Sequence, residues 1–516
     1  MLQQRYMSEA ARTLTARPWD LASWALIVFS TLPILALRYD QWDGALIADF
    51  LLTRDLTGVT NWMLEGQGPL LLAVFWLISI IDAPLRLIDG SVFAALSTAL
   101  GMVGVWRASR FLWNAPIAGF AATALMVATP LHSLFASSMH AAIFGFIGIG
   151  LIGFVEFQKP SPRRWLGLAM MVFSVEIAPM IILLPALIAL VELRRVIAGQ
   201  AIRWGRAGAA ALLPAAYLVG YGVFFTGTGI YSAYNQFDIQ DLLAAPERLF
   251  GSSFFMDFTV PPAIIGLVMI SVMVRRGASR RAVLWRATQF LLLTALALAV
   301  AAPYAMVNKT PPSYDLFQLA DGFLVFNNSN YRHALMPVLV MAIALSGLVA
   351  MVSRRAFAGM PRISLLAPAL FIALQGVAAS HGWQDNFQRD EEIHDLIASM
   401  RHLDLDQTDL CAIDISTYPA YAGDRARSYE LTYYAGLAGT GRATLLAPST
   451  ISERLLGFTI DISCRSPDHQ AKYGVPDLNC ARLQEAERSV AELQPCPFKS
   501  TGLDDAGEGT APVRPR

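Results

Sequence analysis

Apolar positions in this chain come in long, nearly unbroken runs, and not in the strict alternation of a half-buried strand. Eleven runs stand out, near 20–37, 91–107, 115–131, 141–157, 165–176, 179–193, 207–225, 260–274, 287–304, 334–352 and 365–379. A bilayer core about 30 Å thick takes about 20 such residues as one helix, and in hydrocarbon every backbone polar group must bond within its own segment or barrel. Each run therefore predicts a membrane-crossing helix. Two are short, and Pro179 between them predicts tilted helices or a hairpin. The run GPLLLAVFWLISII (Gly68–Ile81) is only 14 residues long, which predicts an interfacial or re-entrant helix outside the count.

From Ser380 the pattern changes. Charged and turn residues rise, and no later run is long enough to span. Asp390–Leu403 (DEEIHDLIASMRHL) carries Ile393, Leu396, Ile397, Met400 and Leu403 at helical spacing, and Asp409–Ile415 (DLCAIDI) reads as a buried strand. The pattern thus predicts an all-α polytopic membrane region over 1–379, with its first outer loop over 38–90. A small α/β domain follows over 380–500, and the composition of 501–516 is that of a disordered tail.

Composition agrees with the pattern: 55% of residues are hydrophobic and 15% charged, too little polar surface to coat a soluble globule. The formal net charge is zero, without the basic excess that a nucleic-acid partner calls for. Charge is informative through its distribution. Twenty basic residues between Arg5 and Arg362 fall in one alternating set of connections; six, Arg38, Arg54, Arg86, Arg248, Lys309 and Arg332, fall in the other before the tail. Basic residues are retained on the cytoplasmic side, so the amino terminus is predicted inside and, with eleven crossings, the tail outside. The first run has no small-residue cleavage site and reads as a signal anchor. All seven histidines fall on the outer side of this arrangement. The four cysteines, Cys411, Cys464, Cys480 and Cys496, lie in the tail, and an outer compartment predicts two disulfides of undetermined connectivity. A zinc site lacks the usual C-x₂-C pair.

No Walker loop, G-x-G-x-x-G, G-x-S-x-G or H-E-x-x-H occurs. Glu176 is the one clear ionisable residue inside a run, fewer than a proton-coupled carrier needs. Instead, four features occur in order: an acidic stretch after the first run, ALRYDQWDGALIADF; the apolar segment GQGPLLLAVFW; ATPLHSLFASSMHA after the third run; and YRHALMPVLVMAIALSGL entering the tenth. Together they resemble the GT-C superfamily of membrane glycosyltransferases, which includes protein mannosyltransferases and the aminoarabinose transferase of lipid A.

That resemblance implies a sugar taken from a polyprenyl-phosphate carrier at the outer leaflet and given to a glycan, lipid or protein acceptor, in a bacterial inner membrane. It places the catalytic aspartate at Asp43, in WDGALIADFL, with Gly44 where the family commonly has glutamate. Asp40, one helical turn earlier, is placed to share the site, either as the base or with Asp43 as oxygen ligands of a divalent cation, Mg or Mn. The other use of either acid is as a helix cap. His140 stands where many members carry an acidic residue and is a candidate metal ligand with Asp43; His132 lies eight residues before it. Arg332 matches the family's arginine and is the candidate ligand of the lipid phosphate, with Lys309 and Arg54 as further candidates. The alternatives are a non-catalytic scaffold of the same architecture and a transporter or ligase of lipid-linked glycans.

Overall fold

A computed structural model describes residues 2–41, 44, 91–224, 239–251, 260–275, 280–306, 329–356, 366–402, 412–414, 434, 437 and 444–446. The helices in chain order are α1 (Leu2–Leu35), α2 (Ser91–Trp113), α3 (Pro116–Ala128), α4 (Ser138–Phe157), α5 (Arg163–Ser174), α6 (Met180–Ile197) and α7 (Trp204–Phe224). They continue as α8 (Ile239–Gly251), α9 (Val260–Arg275), α10 (Arg280–Met306), α11 (Leu335–Ala356) and α12 (Leu366–His402). Short 3-10 helices, Pro130–Ala136 and Ser329–Ala334, precede α4 and α11.

Each of the eleven apolar runs has its helix. Among the described residues, however, five helical stretches are long and apolar enough to cross a membrane: Pro18–Leu35, Ser91–Trp113, Ser138–Phe157, Val283–Met306 and Arg332–Ala350. A sixth is α3 taken with Pro130–Ala136, which bends by 70°. The bend has a local cause. Pro130 has no N–H to continue the ladder and pushes the residue before it out of the helical region, and Thr129 sits at φ −68°, ψ 140°. Among the described residues, length and apolarity thus account for five or six crossings, and the expected count of eleven is not shown by them. The segment Gly68–Ile81 lies outside the described residues.

Glycine sets the closest approach in the bundle. A Cβ on Gly148 of α4 would lie 2.4 Å from the Leu100 carbonyl oxygen of α2, and one on Gly104 would lie 2.5 Å from the Gly148 Cα. Small residues let helix backbones meet where lipid offers no hydrophobic drive. Trp113 at the end of α2 crosses to α11, its indole N–H donating to the Ile343 carbonyl at 2.8 Å. On α1, Leu21, Val28 and Phe29 remain largely exposed while Ile27 and Ile34 are buried against the bundle, the division expected of a helix with one face to lipid.

Because the helices alternate in direction, their termini sort into two ends. One end is basic. There Arg110 pairs with Asp20 at 2.7 Å, Arg107 and Lys159 both reach Glu156, Arg194 donates to the Leu112 carbonyl, and Arg203 pairs with Glu192 at 3.0 Å. The opposite end gathers residues 38–41, Pro130–Ala136, the start of α4 and Ser329–Ala334.

The helix read within 390–403 is not a separate element. α12 runs unbroken for 37 residues from the last apolar run through position 380, roughly 55 Å at 1.5 Å per residue. The strand expected near Asp409–Ile415 occurs as β1 (Ala412–Asp414), which pairs in parallel with β2 (Thr444–Leu446). The remainder of 403–516, including the four cysteines, lies outside the described residues apart from Tyr434 and Leu437.

Candidate functional site

The segment following α1 is pinned from two sides. On one side stands α12. The Asp390 carboxylate accepts the backbone N–H groups of Arg38 and Tyr39 at 2.9 and 3.0 Å and the Arg38 Nε at 2.8 Å. Arg38 also reaches Glu391 at 2.8 Å. The Tyr39 hydroxyl lies 2.9 Å from His394 Nδ1. The hydrogen bond from Arg38, then its charge, holds the Glu391 carboxyl below the ordinary glutamate value.

On the other side stands the N-terminus of α4. Asp40 is 5% exposed, and its Oδ1 accepts the N–H of Ser138 at 3.0 Å and that of Gln41 at 2.9 Å. Ser137 occupies the N-cap position, yet its side chain does not cap the helix; its hydroxyl instead accepts the Gly44 N–H at 3.0 Å. Asp40, nearly one hundred residues earlier, thus supplies the charge complementary to the positive end of α4. This is the capping use of the residue, directed at a distant helix. Gly44 has a steric reason: a Cβ there would lie 2.0 Å from Asp40 Oδ1 and 2.8 Å from the Ser138 nitrogen. The glutamate that the resemblance leads one to expect at 44 does not fit beside Asp40.

Below this knot the chain packs polar groups against aromatic ones. His132 is 2% exposed; its Nδ1 accepts the Trp383 indole N–H at 3.1 Å, which leaves the ring proton on Nε2 in the neutral form. Asn386 donates to the Ser133 carbonyl at 2.9 Å, and its own carbonyl accepts from Gln41 Nε2 at 3.1 Å. Four buried polar atoms at this end have no hydrogen-bond partner among the described residues: Gln41 Oε1, Ser138 Oγ, His132 Nε2 and Thr129 Oγ1. Two of them belong to the residues whose backbones hold Asp40. Buried polar groups are ordinarily satisfied, so these atoms are open to partners beyond the described residues.

Thr129 also lines a small cleft of about 30 Å³ between Leu125 of α3, Pro262 of α9, Val338 and Met341 of α11, and Phe371 and Gln375 of α12. Apart from Thr129 and Gln375 its walls are apolar. Arg332 is half-buried in the 3-10 helix that contacts Pro130–Ala136, and beside it His333 stacks on Tyr304 at 4.4 Å.

The structure therefore brings Asp40, His132, His140 and the Arg332 segment to one end of the bundle, with His140 buried in the first turn of α4. Asp43, Lys309 and Arg54 lie outside the described residues, as do Cys411, Cys464, Cys480 and Cys496. No three of His, Cys, Asp and Glu converge to hold a metal among the described residues, and Asp43, the ligand expected beside Asp40 and His140, lies outside them. Trp383, Asn386 and Asp390, which sequence reading passed over, follow one another at helical spacing on α12. That spacing was the available signal.

No protein-family model, curated protein or solved structure matches this chain.

Proposed function

We propose that the chain is a glycosyltransferase that moves a sugar from a polyprenyl-phosphate carrier to a hydroxyl acceptor at the outer face of a membrane, with the Asp40 end outermost. The observation that supports this reading is the group of four buried polar atoms at the Asp40 end that meet no partner among the described residues, with Thr129 also lining a small apolar cleft between helices. A sugar presents many hydroxyls and a polyprenyl chain presents none, so a lipid-linked sugar is a ligand with both characters.

In this reading Asp40 positions and Asp43 reacts. Asp40 is held by two N–H groups and orders the segment that carries Asp43. The Asp43 carboxylate accepts the proton of the acceptor hydroxyl as its oxygen bonds to the anomeric carbon; the bond from that carbon to the phosphate oxygen breaks, and polyprenyl phosphate departs with the electron pair. The Arg332 guanidinium stabilises the charge growing on the phosphate.

The experiment is transfer from labelled polyprenyl-phosphate sugars by the purified chain in lipid nanodiscs. Asp43→Asn should lower transfer about 10²–10⁴-fold with donor binding retained. Arg332→Ala should weaken donor binding and lower the rate together. Asp40→Asn should lower thermal stability more than it lowers the rate per folded molecule. Full transfer by Asp43→Asn overturns the assignment of the base. Use of Asp40 as a cap also suits a non-catalytic scaffold, for which no donor in the panel is turned over; lipid translocation without a new glycosidic bond identifies a transporter.

A further inference from the structure

The basic end of the bundle gathers a second cluster of charged side chains, independent of the transfer reaction. Arg206, the first-turn arginine of α7, is 8% exposed. Its two terminal nitrogens are held by Gln158, through Oε1 at 2.8 Å and the main-chain oxygen at 3.0 Å. Arg203 directs its Nε to Glu192 Oε1 at 3.0 Å, and Arg195 approaches Glu192 Oε2 at 3.4 Å. Arg206 feels the charges of Arg203, Arg164 and Arg195, with Glu192 opposing them. Arg203 and Arg195 thus share one carboxylate, while Arg206 beside them is held by an amide oxygen and a main-chain oxygen.

Helix geometry adds to the positive field. Arg164 and Arg206 lie in the first turns of α5 and α7, and neither helix has an acidic residue in its first turn. Cations are unfavourable at the positive end of a helix dipole, and anions are favoured there. Two helix starts and four arginines therefore converge where an anion is the stabilising occupant. The depth is marked as well: Trp165 and Trp204 are 62% and 76% exposed at this end, and the Arg164 guanidinium lies 5.6 Å over the Trp165 ring. Exposed tryptophan beside arginine is the residue usage of the headgroup layer, and basic pockets between helices on the cytoplasmic side take anionic headgroups.

We propose that Arg164, Arg195, Arg203 and Arg206, at the starts of α5 and α7 and the end of α6, bind the phosphate of an anionic membrane lipid. Arg164 closes the site from the lipid side, since its only side-chain contact described is with the neighbouring indole. Arg203 and Arg195 are braced by Glu192, and Arg206 by Gln158, so three of the four guanidiniums are pre-oriented.

The full chain in nanodiscs tests this, with phosphatidylglycerol compared with phosphatidylcholine as the only lipid, read as thermal midpoint and, by native mass spectrometry, as lipid retained per molecule. Wild type should gain several degrees in phosphatidylglycerol and retain at least one such lipid. Arg164→Gln should lose about half of that gain and the retained lipid. Arg163→Gln, one position away and exposed, should keep both. Equal losses in the two variants would show a diffuse charge effect and overturn the site. Absence of any difference between the lipids overturns it also. If millimolar inorganic phosphate gives phosphatidylcholine discs the full gain, the ligand is free phosphate and the lipid assignment falls. Should Arg164→Gln fail to fold, Arg164→Lys keeps the charge without the planar fork and should show intermediate retention.

Discussion

Gly44 and Asp40 decide a local question of space. The Asp40 carboxylate fills the position where a side chain at 44 would stand, and it does so to hold the Ser138 N–H. Gly44→Ala should therefore displace either the carboxylate or the backbone of α4, and we expect a loss of about 1–3 kcal/mol, seen as a lower thermal midpoint in detergent. Combined with Asp40→Ala the loss should be less than the sum, because the collision disappears with the carboxylate. A strictly additive pair would mean that Gly44 serves a purpose other than room for Asp40. The sequence offered Asp40 as a base, a cation ligand or a helix cap, but not that the helix it caps begins at Ser138, nearly one hundred residues on. Ser137 looks able to cap its own helix, and only the fold shows its hydroxyl turned to Gly44.

Among the elements, apolar runs translated directly into helices because a backbone surrounded by apolar side chains has no polar alternative to its own hydrogen bonds. Their count as crossings did not follow, since Arg163–Ser174 and Met180–Ile197 are helical yet short or charged at one end. α8 was missed for the opposite reason: an amphipathic helix with Pro246 inside it lies in what reads as an outer loop. The α2 and α4 contact is the element most exposed to substitution. Gly148→Ile should cost about 3 kcal/mol, because the obstacle is the Leu100 carbonyl and the Gly101 Cα and not a flexible side chain. Thermal unfolding in detergent reports it; an unchanged midpoint would mean that the two helices can separate at no cost. Pairings such as Arg38 with Asp390, 352 residues apart, leave no mark in any local window.

For the molecule as a whole, the division into a basic end and an Asp40 end carries the proposed orientation. In a chain with its four native cysteines replaced, Ser329→Cys should react with an impermeant maleimide in intact cells, and Arg163→Cys should react only after permeabilisation. The reverse pattern would invert the topology and with it the side of the membrane on which a lipid-linked sugar is met. The longest connection between the two regions is α12, and its continuity makes it a phase-sensitive ruler. A helix advances 100° per residue, so one alanine inserted after Ala379 turns Trp383, Asn386 and Asp390 together away from His132, Ser133 and Arg38. Seven inserted residues return the phase to within about 20° but shift the register by roughly 10 Å. Both insertions should unfasten the segment after α1, detected as proteolysis between residues 38 and 44, while Ser380→Ala at the same level leaves it intact. Distance along the rod and rotation about it are both specified, and the apolar first half of α12 thereby sets where Arg38, Tyr39 and Gln41 are held.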